Sequence, residues 1–150
     1  MGAPVPSAIQ NSYTIFDDRR WPIVVFTLPE IALDEPAFAE HSRRVLAYFE
    51  RRENFAFVVD ARHAPPMAAT QRRTLANLLD RCVLEYPNVR NYTAIIVASA
   101  VQRGIVKALT WLSRQPGPAE VFASLDEGIA WCSTRLAEGK GEHRGASRRS

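Results

Sequence analysis

The sequence predicts an α/β fold built on a mixed, mostly parallel five-stranded sheet with an antiparallel N-terminal strand and four helices. Three observations carry this. Strand-sized apolar runs such as Ile23-Val-Val-Phe26, Phe55-Ala-Phe-Val-Val59 and Ile95-Ile-Val97 alternate with longer segments of helical period. The first two strands are joined by only four polar residues, Asp17-Asp-Arg-Arg20, which reads as a hairpin. From the second strand onward each strand is followed by one helix, the pattern of a parallel sheet with right-handed crossovers. The expected order is β-β-α-β-α-β-α-β-α.

Each element has its own justification. Tyr13-Thr-Ile-Phe16 reads as a short strand, and Trp21 to Leu28 as the second, with Pro22 tolerated near its start. The first helix opens at Asp34–Pro36, with Asp34 or Glu35 as cap and Pro36 in the first turn; its stripe is Phe38, Val45, Leu46 and Phe49, with His41 packed beside it. Phe55 to Val59 is apolar on successive residues, as a strand covered on both faces must be. Helix two, Thr70 to Tyr86, places Leu75, Leu78, Leu79, Cys82, Val83 and Tyr86 on one face, and Pro87 stops it. Strand four is Tyr92 to Ala98. Ser99-Ala-Val-Gln102 is a capping box that opens helix three, which runs to about Arg114 on a Val101, Ile105, Leu109 and Leu112 stripe. After the turn Gln115-Pro-Gly-Pro-Ala119 come a short strand, Glu120 to Ala123, and a second capping box, Ser124-Leu-Asp-Glu127. That box starts helix four, with Leu125, Ile129, Cys132 and Leu136 facing inward and Gly139 expected to end it. Residues 1–12 and 138–150 are expected to be disordered, leaving one domain at 13–137.

Composition narrows the function classes. Of 150 residues, 47% are hydrophobic and 23% charged, values of an ordinary soluble globular domain. No apolar run approaches the roughly 20 residues of a membrane span, and Met1 to Ser7 has neither a basic nor an apolar leader region, so a cytoplasmic location is expected. The formal charge of +3 includes a tail with Lys140, Arg144, Arg148 and Arg149 against Glu138 and Glu142. The rest is close to neutral and gives no nucleic-acid footprint. Cys82 and Cys132 sit on apolar helix positions as small buried hydrophobes. No metal-ligand cluster, nucleophile–base pair or glycine-rich phosphate loop is present, and no cofactor is expected.

The strand Phe55-Ala-Phe-Val-Val-Asp60, the Ser99–Gly104 helix start and the ending Val121-Phe-Ala-Ser-Leu-Asp-Glu-Gly-Ile-Ala-Trp131 resemble the STAS family. These are the anti-sigma-factor antagonists and their SpoIIAA-like relatives, some grouped with Sec14-type lipid-binding folds. The resemblance covers about residues 13–137. It implies a non-enzymatic bacterial regulatory module that binds a signalling protein or an apolar ligand. Antagonists of that family carry a Met-Asp-Ser-Ser-Gly-like element whose second serine is phosphorylated. Here Met67-Ala-Ala-Thr-Gln71 stands in its place, with Thr70 at the phospho-acceptor position and the aspartate, first serine and glycine replaced.

The carboxyl ends of parallel strands are the working edge of such a sheet. The residues expected to meet a partner there are Arg62, His63, Met67, Thr70, Gln71, Arg72, Arg73 and Arg103. Thr70 also reads as a helix N-cap, and Asp60 with His63 as a loose acid–base pair or a plain turn. Trp111 and Trp131 each lie roughly 120° off their helix stripes and fill inter-helix grooves or form a partner or homodimer contact. Three function classes follow: a protein-interaction module presenting the 61–73 loop and helix-two start; a carrier holding a small lipophilic or anionic ligand in a closed cavity between helices and sheet; and, least favoured, an enzyme, which would need Asp60, His63 and a third polar group to converge in a cleft.

Overall fold

The computed structural model describes residues 13–112 and 117–149, with the backbone alone over 107–112 and 140–149. The expected disordered segment 1–12 lies outside the described residues. Five strands, β1 (Ile15–Arg20), β2 (Ile23–Thr27), β3 (Phe55–Asp60), β4 (Asn91–Ile96) and β5 (Ala119–Phe122), form one sheet in sequence order. β1 pairs antiparallel with β2, and the other neighbours pair parallel. The helices are α1 (Glu35–Phe49), α2 (Ala69–Glu85), α3 (Ala100–Leu112) and α4 (Leu125–Arg149). The mixed five-stranded sheet with four helices is therefore as the sequence predicts.

Side chains alternate along β3 and divide the core in two. Phe55 and Phe57 join Val24, Phe26, Val45, Tyr48, Phe49 and Cys82, which is the layer between the sheet, α1 and α2. Ala56 and Val58 face the other way, with Tyr92, Ala94, Ile96, Cys132 and Leu136 under α4. The two layers differ in grain. The first is built of interlocking rings, with Phe49–Phe55 and Phe55–Phe57 edge-to-face at 5.0 Å. The second is built of small residues that let a helix lie close: a Cβ on Gly128 would stand 2.6 Å from Ile96 Cδ1 and 3.3 Å from Ala94 Cβ.

Several local expectations need correction. Asp17-Asp-Arg-Arg20 is not the hairpin turn but part of β1; the turn is Trp21-Pro22, whose peptide bond is cis. Charged residues suit an edge strand, where they discourage further pairing, so their charge was no sign of a turn. α4 does not stop at Gly139 but runs on to Arg149. A helical glycine costs only about 1 kcal/mol, and this one is a close approach: a Cβ there would meet Tyr92 Oη at 2.8 Å. Helix caps fell closer to expectation. Asp34 accepts from the Ala37 N–H at 2.9 Å to open α1, and Ser99 and Ser124 accept from Gln102 and Glu127 to open α3 and α4.

Candidate functional site

The sheet's hydrogen bonding runs one residue past its strands at the carboxyl edge. Leu28 N–H donates to the Asp60 carbonyl and Ala61 N–H to the Ile96 carbonyl, each at 3.0 Å. This brings the connections after β2, β3 and β4 to one rim. There they form a half-open cleft of about 440 Å³. Its walls are the 28–33 stretch, the Ala/Pro loop from Ala61 to Met67, the first turn of α2 and the first two turns of α3. Leu28, Ile31, Pro65, Met67, Ile105 and Val106 make it predominantly apolar, with Gln71, Arg72 and Gln102 as its polar side chains.

Those polar groups brace the walls. Gln71 is buried and its Nε2 donates to the Leu33 carbonyl at 2.9 Å, tying α2 to the β2–α1 connection. Arg72 donates to the Met67 carbonyl at 2.7 Å, bending the loop back onto its own helix. Gln102 closes the start of α3 by accepting from the Ala98 N–H at 2.9 Å. Its amide NH2 and the remaining Arg72 N–H groups are the donors a bound group would meet.

Of the residues expected to work together, Met67, Gln71 and Arg72 line this cleft. Arg62 does not: it turns back in a bidentate pair with Asp60, at 2.9 Å for both contacts. That guanidinium holds the Asp60 carboxyl below the usual carboxylate range. Asp60 is thus committed to Arg62 rather than poised against His63. His63 is exposed and lines a smaller recess of about 150 Å³ with Tyr13, Ile15 and Thr27, sharing Leu28 and Pro29 with the main cleft. Thr70 is not the N-cap of α2. The helix starts one residue earlier, Ala68 takes the cap position with no side-chain bond, and Thr70 lies exposed in the first turn. Alanines at 68 and 69 join a helix readily, so the hydroxyl was not needed to start it. Arg73 is exposed, and Arg103 is half-buried with its Nε lacking a hydrogen-bond partner.

Two residues of the stripe expected to bury α3 differ, while the side chains of the other two, Leu109 and Leu112, lie outside the described residues. Val101 is 74% exposed and Ile105 57%. Period alone reports that a helix is two-faced, not what its apolar face meets. The Trp111 side chain lies outside the described residues. Trp131 is half-buried, its ring 5.7 Å from that of Phe122 with the Arg135 guanidinium over it at 5.5 Å. Sequence reasoning missed the 28–33 wall, and it gave Gln102 only a capping role, Ile105 only a core role and Val106 none. The same rule that drew notice to residue 61 applies to residue 28, since both follow parallel strands.

Elsewhere, His41 is buried among Phe16, Phe26 and Phe38 and shares a 2.9 Å hydrogen bond with Thr14 Oγ1. Burial pulls its pKa down to about 4. The Cys82 and Cys132 thiols are pushed up to about 11 and about 12 by burial. Among the described residues no group of three or more His, Cys, Asp or Glu side chains could hold a metal ion. Among them, too, no helix is long and apolar enough to cross a membrane.

Comparison with known proteins places this architecture. No family model matches the sequence. No curated protein matches it either. A solved structure does match: an uncharacterised DUF3478-family protein from Shewanella loihica PV-4, described as having a SpoIIAA-like fold. The likeness covers 88% of this chain and 98% of that one, at a TM-score of 0.58 and 12% identity. Sheet order, strand direction and this match agree that the chain has a SpoIIAA-like α/β fold.

Proposed function

We propose that the chain is a non-enzymatic, cytoplasmic interaction module of STAS type that receives an apolar segment of a signalling protein in the cleft at its carboxyl rim. The 61–73 loop and the start of α2 form the contact, with Arg72 at its edge. The observation that carries this reading is the coincidence of the cleft with the 61–73 segment. Its polar side chains brace the walls and leave only hydrogen-bond donors, from Gln102 and Arg72, toward an occupant, which suits recognition rather than reaction chemistry.

The cleft's volume falls within the roughly 300–1,000 Å³ of small-molecule sites, which is what favours a ligand carrier as the second reading. Such sites bury about 70–90% of their ligand, however, and this cleft is half open. An inserted protein segment brings its own cover. A phosphate on Thr70 would sit at the uncapped amino end of α2, beside Arg72 and Arg73 and with no acidic residue in that turn. It would rebuild the contact surface by charge.

The test is affinity capture from lysate of the native cell with wild type, Arg72→Glu and Ala64→Trp, the last filling the cleft. Both substitutions should remove the same captured protein, with each variant keeping the circular dichroism spectrum of the folded wild type. Capture that survives both would defeat the reading. A co-purifying lipophile displaced by Ala64→Trp, with no captured protein, would support the carrier instead.

A further inference from the structure

We propose that a second copy of this chain covers the cleft and the apolar stripe beside it, so that self-association and partner capture exclude one another. The inference takes over the cleft as the working surface from the reading above and adds its regulation.

The first ground is shape. Val101 and Ile105 stand one turn apart on α3, 74% and 57% exposed, and Ile31 on the neighbouring wall is 46% exposed. Ile105 also lines the cleft. Apolar knobs and an apolar hole therefore lie side by side on one surface. A two-fold rotation sets the knobs of one copy into the hole of the other and closes the assembly at two. The described side chains of the first two turns of α3, with the 29–33 and 64–67 stretches, put these apolar groups on one continuous surface.

Charge decides between a second copy and an unrelated chain. The connection forming one wall and the start of α1 after it carry Glu30, Asp34 and Glu35, while the starts of α2 and α3 carry Arg72, Arg73 and Arg103. Among the described residues none of these six is in an ion pair. A uniformly acidic partner would be attracted by one side and repelled by the other, and a basic one likewise. A second copy turned about a two-fold axis carries its acidic side to the other's basic side, twice over.

Sedimentation velocity of the full chain over the micromolar range tests this directly. A concentration-dependent monomer–dimer equilibrium is expected, weakened by high salt. Val101→Glu, outside the cleft lining, should raise the dissociation constant by more than about thirtyfold. Its circular dichroism melt should remain that of wild type, because the side chain is exposed. Glu35→Arg and Arg73→Glu should each weaken self-association, and an equimolar mixture of the two should dimerise more tightly than either alone, since every contact across that pair is then complementary. A monomer at every concentration overturns the proposal. So does a dimer indifferent to Val101→Glu, or a mixture no tighter than its components. If the chain is monomeric while Ala64→Trp still abolishes capture, self-association falls and the partner reading stands. If Val101→Glu is monomeric and captures more partner than wild type, the exclusion is demonstrated.

Discussion

Replacing Gly128 by alanine should destabilise the protein, although the same change in an open helix stabilises it. Gly→Ala inside a helix gains about 1 kcal/mol from propensity and from a less flexible unfolded chain. Gly104 of α3 shows the unopposed case, because a Cβ there meets nothing within 4 Å. At Gly128 the new Cβ would stand 2.6 Å from Ile96 Cδ1, 3.3 Å from Ala94 Cβ and 3.6 Å from Val58 Cγ1. Ordinary carbon contacts lie at about 3.5–4.0 Å, so Ile96 must give about 1 Å. Ile96 is fully buried, and Ala94 Cβ is fixed to the sheet backbone and cannot turn aside. Overpacking of this kind costs about 1–3 kcal/mol, leaving a net loss of about 1 kcal/mol. The two glycines should therefore differ by about 2 kcal/mol, or roughly 4–8 °C in melting temperature for a chain of this size. Urea unfolding of both variants reads the difference. Ile96→Val removes the clashing methyl, so the Gly128→Ala/Ile96→Val pair should show a coupling energy of about 1 kcal/mol or more. A Gly128→Ala protein as stable as Gly104→Ala would refute the close packing of α4 on the sheet.

Two further measurements probe the other layer and both thiols. The unfolded chain takes a proton on His41 below about pH 6.5, whereas the folded chain refuses it until about pH 4. Stability should therefore fall as pH drops through that window, by up to about 3 kcal/mol, and His41→Phe should flatten the slope read by urea unfolding between pH 6.5 and 5; an unchanged slope would place its cause elsewhere. Cys82 and Cys132, buried and held protonated, should resist a thiol reagent at pH 8 in the native protein and react together once urea unfolds it; prompt native labelling of either would contradict their burial.

Elements whose sequence signal is produced by burial itself were the legible ones. Phe55 to Val59 is apolar on every residue because α1 and α2 cover one face and α4 the other. Asp34 caps α1 because its short side chain, on extended backbone two residues before Pro36, reaches the Ala37 N–H. The working rim was legible too, as the place where strands end. What stayed hidden depends on neighbours distant in sequence. Gly139 reads as a stop until Tyr92 Oη is seen beneath it. Val101 and Ile105 have the spacing of core residues, yet they meet no core in the monomer. Arg62 reads as a free cation until the local turn that folds it onto Asp60, two positions away, is seen. The cleft exists only because α3 stands across from the 28–33 wall, a relation no local pattern encodes.

The small-residue seam under α4 has a consequence for what this molecule can carry. With Gly128 seated on Ala94 and Ile96, and Cys132 Sγ donating to the Phe57 carbonyl at 3.8 Å, that flank has no slack. A guest wedged there would have to prise a whole helix off its bed and strand the polar ends it uncovers. An occupant is accommodated at far lower cost at the carboxyl lip, whose walls are connecting segments rather than a helix bedded on the sheet.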